Sequence, residues 1–182
     1  MVDAARHPKI DVRTYTNVER VEGYVGNFKV QLREKARYVR ADRCNGCGEC
    51  AKACPIEVPN YFEMDLAPRK AAYVPMSQSI PLLYTIDEEA CIHCYKCVDA
   101  CAGLEAIDFS QQDKVEWEDI GSIIVATGFN HFDPSVMPEY GYSRFPNVIT
   151  AMEMERLNNS AGPTTGNLIR PSDQKNPNRL AI

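Results

Sequence analysis

The sequence predicts an α+β fold built in three pieces, and three observations predict it. Apolar and polar side chains alternate along residues 10–34. All eight cysteines fall between Cys44 and Cys101. A short apolar run followed by a capped helical pattern occupies residues 120–158. Alternation is the signature of strands, and the last stretch that of a buried strand with a helix behind it. The cysteine stretch carries ligands rather than a periodic core pattern. The pieces are therefore residues 1–36, 37–113 and 114–182.

The first piece reads as a meander of three strands, over residues 10–16, 18–25 and 27–34, with Gly26-Asn27 turning the second into the third. Little periodicity follows until residue 101, apart from short helical possibilities after each cysteine group. Pro55, Pro59, Pro68, Pro75 and Pro81 punctuate the connection between the groups and exclude a long helix there. Ile123-Ile124-Val125-Ala126 then resembles a fully buried central strand ending in Thr127-Gly128. Residues 129–146 hold three prolines and several aromatics and read as an ordered loop. A helix is predicted over residues 148–158, with Thr150 as N-cap and Glu153 completing a capping box. Residues 160–179 are rich in Gly, Pro, Asn and Ser and read as loop, and residues 180–182 as a strand just begun.

Length and composition narrow the function. With 182 residues, 45% hydrophobic and 25% charged, the chain has material for a real core and is neither disordered, collagen-like nor a coiled coil. No run approaches a membrane span, and residues 1–9 lack the pattern of a secretory signal, so a soluble, cytoplasmic protein is expected. The net charge of −5 is uneven: +4 over residues 1–40, −7 over 41–113 and −2 over 114–182. An acidic middle is a poor nucleic-acid surface. Secreted disulfide scaffolds spread their bridges through a chain too small for a core. Cysteines packed into one stretch of a longer chain point instead to metal or redox chemistry.

Their spacing is specific. Cys44-Asn-Gly-Cys47-Gly-Glu-Cys50-Ala-Lys-Ala-Cys54-Pro55 has the spacing of the bacterial ferredoxin motif, and Cys91-Ile-His-Cys94-Tyr-Lys-Cys97-Val-Asp-Ala-Cys101 repeats it 47 residues later. Three thiolates at intervals of three, on a loop folded round a cube, reach three corners of one [4Fe–4S] cluster. The fourth, expected to start the following helix, points to the other cluster. The two motifs therefore exchange last cysteines: Cys44, Cys47, Cys50 and Cys101 form one set, and Cys91, Cys94, Cys97 and Cys54 the other. Zinc also takes four thiolates, but its sites rarely need two successive intervals of three followed by one of four. A disulfide-exchange pair would leave most of the cysteines idle.

Gly46 and Gly48 allow tight turns and let backbone N–H groups approach the sulfurs. Together with Ala51 they also spell a G-x-G-x-x-A dinucleotide fingerprint, which is rejected because no strand leads into it. Ala102 stands where a second proline would follow the last cysteine. His93, inside the second motif, is either a group that tunes a cluster or relays a proton, or a partly exposed loop histidine. His7 and His131 have no visible partner. Tyr61, Tyr73, Tyr84 and Tyr95 surround the cysteine region and are expected to shield it from water. No catalytic triad, phosphate loop or paired-carboxylate site is present in the sequence.

Val21-Glu-Gly23-Tyr-Val-Gly26-Asn-Phe28-Lys-Val30 and Ile123-Ile-Val-Ala-Thr127-Gly128-Phe resemble segments of two-dinucleotide-fold flavoproteins. In that family a three-strand meander precedes a strand ending Ala-Thr-Gly, which packs beside the flavin. With a two-cluster ferredoxin module inserted between them, the whole resembles the A subunit of heterodisulfide reductase, found in methanogens and related anaerobes. Val58-Pro-Asn-Tyr-Phe62, Tyr140-Gly-Tyr142, Asn147-Val-Ile-Thr150 and Arg170-Pro-Ser-Asp173 carry the same resemblance. It implies FAD in the parent protein, with Thr127 and Gly128 as flavin neighbours. It also implies that the G-x-G-x-x-G element for the FAD pyrophosphate precedes residue 1 and that the second dinucleotide half follows residue 182, so that this chain is an internal segment.

The implied function is electron transfer through two [4Fe–4S] clusters, within a complex that performs flavin-based electron bifurcation and reduces the heterodisulfide of coenzymes M and B in another subunit. The implied partners are other heterodisulfide reductase subunits, a hydrogenase or dehydrogenase electron donor, and ferredoxin, without nucleic acid or direct membrane insertion. The alternatives are a quinone-linked complex of sulfate reducers, a free-standing two-cluster ferredoxin and, remotely, a structural zinc protein.

Overall fold

Val25-Gly26 closes the first hairpin, because Gly26 adopts the left-handed φ of +89° that the turn requires. A computed structural model describes residues 2–181. After a short helix α1 (Val2–Arg6), the hairpin joins β1 (Thr16–Tyr24) to β2 (Asn27–Glu34), antiparallel from Thr16↔Glu34 to Tyr24↔Asn27, with one irregularity between Val18 and Arg20. The chain then runs through α2 (Glu49–Ala53), β3 (Glu57–Pro59), β4 (Pro68–Lys70), β5 (Ala72–Tyr73), β6 (Thr85–Ile86), α3 (Lys96–Ala100), β7 (Lys114–Ile120) and α4 (Ala151–Asn158).

The meander prediction is corrected in one strand. Residues 10–15 are irregular, and the third strand of the sheet is β7, in the order β1-β2-β7. β2 pairs with β7 from Phe28↔Ile120 to Glu34↔Lys114, so residues 35–113 leave from the end of β2 and return at the adjacent start of β7. Asp113 ties that junction, its Oδ1 accepting from the Ala36 N–H at 3.0 Å. A local alternation pattern cannot show which distant strand completes a sheet; the β2–β7 pairing spans the whole cysteine stretch.

The residues fall into two compact units, 1–56 with 70–127 and 57–69 with 128–182. The core of the first comprises Val39, Cys50, Ala72, Leu83, Ile86, Cys97 and Ala106. Two small pairings frame it: β5 with β6, through Ala72↔Ile86 and Tyr73↔Thr85, and an isolated bridge between Val39 and Ile107. The helices α2 and α3, which contribute Cys50 and Cys97 to that core, pack on each other.

The second unit is organised by α4. Thr150 caps it as predicted: the Thr150 Oγ1 accepts from the Glu153 N–H at 3.2 Å, and the Glu153 carboxylate accepts from the Thr150 N–H. Arg156 of α4 and Glu63 form a bidentate pair at 3.0 and 3.2 Å, with both side chains only 10% exposed, and the Phe62 ring lies 4.8 Å from the guanidinium carbon. Residues 129–146 form the expected ordered loop, with 3-10 turns at Pro134–Val136 and Pro138–Tyr140.

The run Ile123-Ile124-Val125-Ala126 is not a buried strand. It pairs with no strand among the described residues, and Ile124 is 91% exposed. Apolar character alone makes no strand; a ladder partner is also required. Residues 160–179 are irregular as expected, and so are Leu180 and Ala181; the remaining residue of the predicted final strand, Ile182, lies outside the described residues.

Candidate metal centre

Each cysteine motif folds the same way. The chain makes a loop over the first two cysteines, then enters a helix of five residues, α2 or α3, that carries the third. The entry residue is left-handed in both, Gly48 at φ +82° and Tyr95 at φ +59°. The fourth cysteine ends the helix rather than starting it: Cys54 and Cys101 are the C-caps of α2 and α3. The expectation for that residue is corrected by one turn, because the left-handed entry lets the helix begin before Cys50 and Cys97.

Equivalent positions also share their burial. Cys50 and Cys97 are buried, Cys47 and Cys94 exposed, and the other four intermediate. Burial pushes the Cys50 thiol up to about 12, and the neighbours whose charge adds to the rise are Cys44, Cys101 and Cys47. Burial pushes Cys97 up to about 11, with Cys91 and Cys94 adding. A small pocket is lined by Cys54, Cys91, Cys94 and Cys97, its remaining wall being Ile56, Ala71, Ala72, Ile86, Ile92 and Tyr95. The structure therefore brings Cys101 to the first motif's thiols and Cys54 to the second's. Among the described residues no three His, Cys, Asp or Glu side chains close around a single metal ion.

Backbone and side chains shape both loops. The Cys47 N–H donates to Asn45 Oδ1 at 3.1 Å, and the His93 N–H donates to Cys91 Sγ at 3.4 Å. A β-carbon on Gly46 would stand 2.9 Å from the Leu82 side chain, so that glycine permits a close approach. Tyr84 packs on the core, and its phenol is raised by burial and then by Cys50, Cys47 and Cys44. Over the second loop His93 and Tyr95 pack on Phe109, with ring centroids 5.4 Å apart in each case, and Phe109 stacks on Tyr38 at 5.9 Å.

His93 is thus an exposed loop residue in ring contact, not an isolated one. Tyr61 belongs to the other unit and is 82% exposed. Tyr38 and Phe109 escaped the sequence reading, since nothing in the cysteine spacing marks residues beyond both ends of the repeat. Thr127 and Gly128 lie in an exposed, irregular segment.

The donor chemistry fits the clusters. Eight thiols in two sets of four, each containing one buried member, are a soft-ligand set of the kind iron–sulfur centres take. Residues 43–107 match the 4Fe-4S dicluster domain family, and that stretch holds all eight cysteines. Its cofactors are two [4Fe–4S] clusters. Over its full length the chain is 49% identical to the iron-sulfur A subunit of the CoB–CoM heterodisulfide reductase of Methanocaldococcus jannaschii. The chain is homologous to heterodisulfide reductase A subunits. Two more full-length matches agree. One, at 52% identity, is to an iron-sulfur A subunit of the CoB–CoM heterodisulfide reductase of Methanopyrus kandleri. The other, at 46%, is to the A subunit of the H2:CoB-CoM heterodisulfide,ferredoxin reductase of Methanothermobacter thermautotrophicus. The chain spans about 28% of the length of these curated relatives. Among the described residues no helix is long and apolar enough to cross a membrane.

Proposed function

We propose that this chain is the electron-carrying segment of a cytoplasmic heterodisulfide reductase-type flavoprotein, with residues 37–113 inserted between residues 1–36 and 114–182 of the flavoprotein fold. The observation that carries the reading is the grouping of eight thiols into two sets of four, each drawing its last cysteine from the other motif. Cys44, Cys47, Cys50 and Cys101 hold one cluster; Cys54, Cys91, Cys94 and Cys97 hold the other. When bound, the clusters take up and release single electrons. The protein sets how readily they do so. Ile56, Ala71, Ala72 and Ile86 exclude water from one set. The His93 N–H offers a hydrogen bond to the Cys91 sulfur, and such bonds raise a cluster's potential.

The β2–β7 pairing supports the insertion, since a module entered and left at the paired ends of two neighbouring strands can be added without disturbing their sheet. It also weighs against a free-standing ferredoxin, which would need no such sheet. The relatives' names include heterodisulfide and ferredoxin, and on that basis we assign as partners the other subunits of such a complex, ferredoxin and a hydrogenase or dehydrogenase donor, in a complex that bifurcates electrons at a flavin. FAD binding is left to the parent protein beyond Thr127 and Gly128. The heterodisulfide substrate itself is assigned to a different subunit.

Iron, zinc and acid-labile sulfide analysis of anaerobically purified protein, with EPR after dithionite reduction, tests this. About eight iron and eight sulfide per chain with a signal from two coupled clusters are expected. Stoichiometric zinc without sulfide would make the domain structural. Subunits recovered with the protein then separate the methanogen-type complex from the quinone-linked one.

A further inference from the structure

The two cysteine loops share one backbone but not one sequence. In the first, the left-handed positions are glycines, Gly46 at φ +73° and Gly48 at φ +82°. In the second, the equivalent positions are His93 at φ +50° and Tyr95 at φ +59°. A residue with a β-carbon is sterically strained in that conformation, so something must hold the second loop where glycine would hold itself. Phe109 touches both strained residues, edge-on to Tyr95 and tilted against His93, each at 5.4 Å between ring centroids. It is itself fixed from behind. The Asp108 N–H donates to the Tyr38 carbonyl at 2.9 Å, the Asp108 carboxylate accepts from the Ser110 N–H at 2.9 Å, and the Tyr38 ring stacks on Phe109.

We propose that Phe109 is a positioning residue for the second cluster, clamping His93 and Tyr95 in the left-handed conformation that aims Cys91, Cys94 and Cys97 at one centre. The inference rests on the assignment of those three thiols and Cys54 to one cluster. Only that cluster depends on the clamp, because in the first loop Gly46 and Gly48 adopt the left-handed conformation without the strain of a β-carbon. Phe109 lies eight residues beyond Cys101 and acts across the Val39–Ile107 bridge that closes the module.

The experiment compares wild type, Phe109→Ala, Phe109→Tyr and the triple variant Phe109→Ala with His93→Gly and Tyr95→Gly. Each is purified anaerobically with whatever subunits accompany it, and each is assayed for iron content, for chelator-driven iron release and for EPR after reduction. Phe109→Ala should release iron from one cluster about tenfold faster, the order set by one unsupported left-handed residue. Its iron should fall from about eight toward about four per chain, leaving the signal of one uncoupled cluster. Phe109→Tyr should behave as wild type, and the glycine pair should restore the second cluster to Phe109→Ala. Wild-type retention by Phe109→Ala would overturn the proposal. So would equal loss of both clusters, or failure of the glycines to rescue, which would make Phe109 a packing residue only. If Phe109→Ala does not fold, the triple variant still decides, since only a clamp is made dispensable by glycine. A wild-type protein without iron would refute the cluster assignment instead, before any variant is read.

Discussion

Tyr84 lies over Gly48: a β-carbon on that glycine would stand 2.8 Å from the Tyr84 hydroxyl oxygen. Gly48 is also left-handed, at φ +82°, where it begins the helix that carries Cys50. Gly48→Ala therefore meets both a conformational penalty and a contact. It should cost about 1–2 kcal/mol from the left-handed backbone alone. Gly48→Ala with Tyr84→Phe should recover only the part due to the oxygen. Thermal unfolding of the three proteins checks this, and a neutral Gly48→Ala would contradict the reading of that loop.

The eight cysteines were legible because cluster ligation imposes a strict local spacing, and Thr150 with Glu153 because a capping box is a local pattern too. What could not be read is non-local. The partner of β2 is 80 or more residues away along the chain, in Lys114–Ile120, where the alternation of Lys114-Val115-Glu116-Trp117-Glu118 marks a strand but not the strand it pairs with. Glu63 reaches Arg156 across 93 residues. The Ile123–Ala126 run misled because its apolarity implied partners that the described residues do not supply. Burial of Cys50 and Cys97 follows from two short helices packing together, which no single motif reveals.

Removal of the clusters should expose a pH dependence that the loaded protein lacks. In the free-thiol form, burial raises Cys50 to about 12 and Cys97 to about 11 from an ordinary 9.0. Below about pH 9 both folded and unfolded chains keep these protons, and the thiols do not change stability. Above it the unfolded chain loses them first, so the folded form loses stability as pH rises toward 11–12. Iron-free protein should therefore unfold at lower denaturant at pH 10 than at pH 8, while ligated protein, its thiolates already deprotonated, should show no such fall. A pH-independent midpoint for the free-thiol form would contradict the burial of these two cysteines.

The Glu63–Arg156 pair should be destabilising to break and nearly neutral to replace. Glu63→Gln leaves the buried Arg156 guanidinium with only the more exposed Glu155 carboxylate, at 3.3 Å, and should destabilise by at most about 3–5 kcal/mol. Glu63→Leu combined with Arg156→Met should return most of that loss. Urea unfolding followed by a probe in residues 128–181 measures both. Equal losses in the single and the double variant would show that the ion pair is not what holds α4.

The exchange of last cysteines is tested most directly by EPR of four single variants, Cys47→Ala, Cys101→Ala, Cys54→Ala and Cys94→Ala, each reduced under identical anaerobic conditions. The account predicts that the residual spectra sort into two matching pairs, Cys47→Ala with Cys101→Ala and Cys54→Ala with Cys94→Ala, although each pair draws on both motifs. Spectra that instead pair Cys47→Ala with Cys54→Ala, and Cys94→Ala with Cys101→Ala, would show that each motif holds its own cluster and would contradict it.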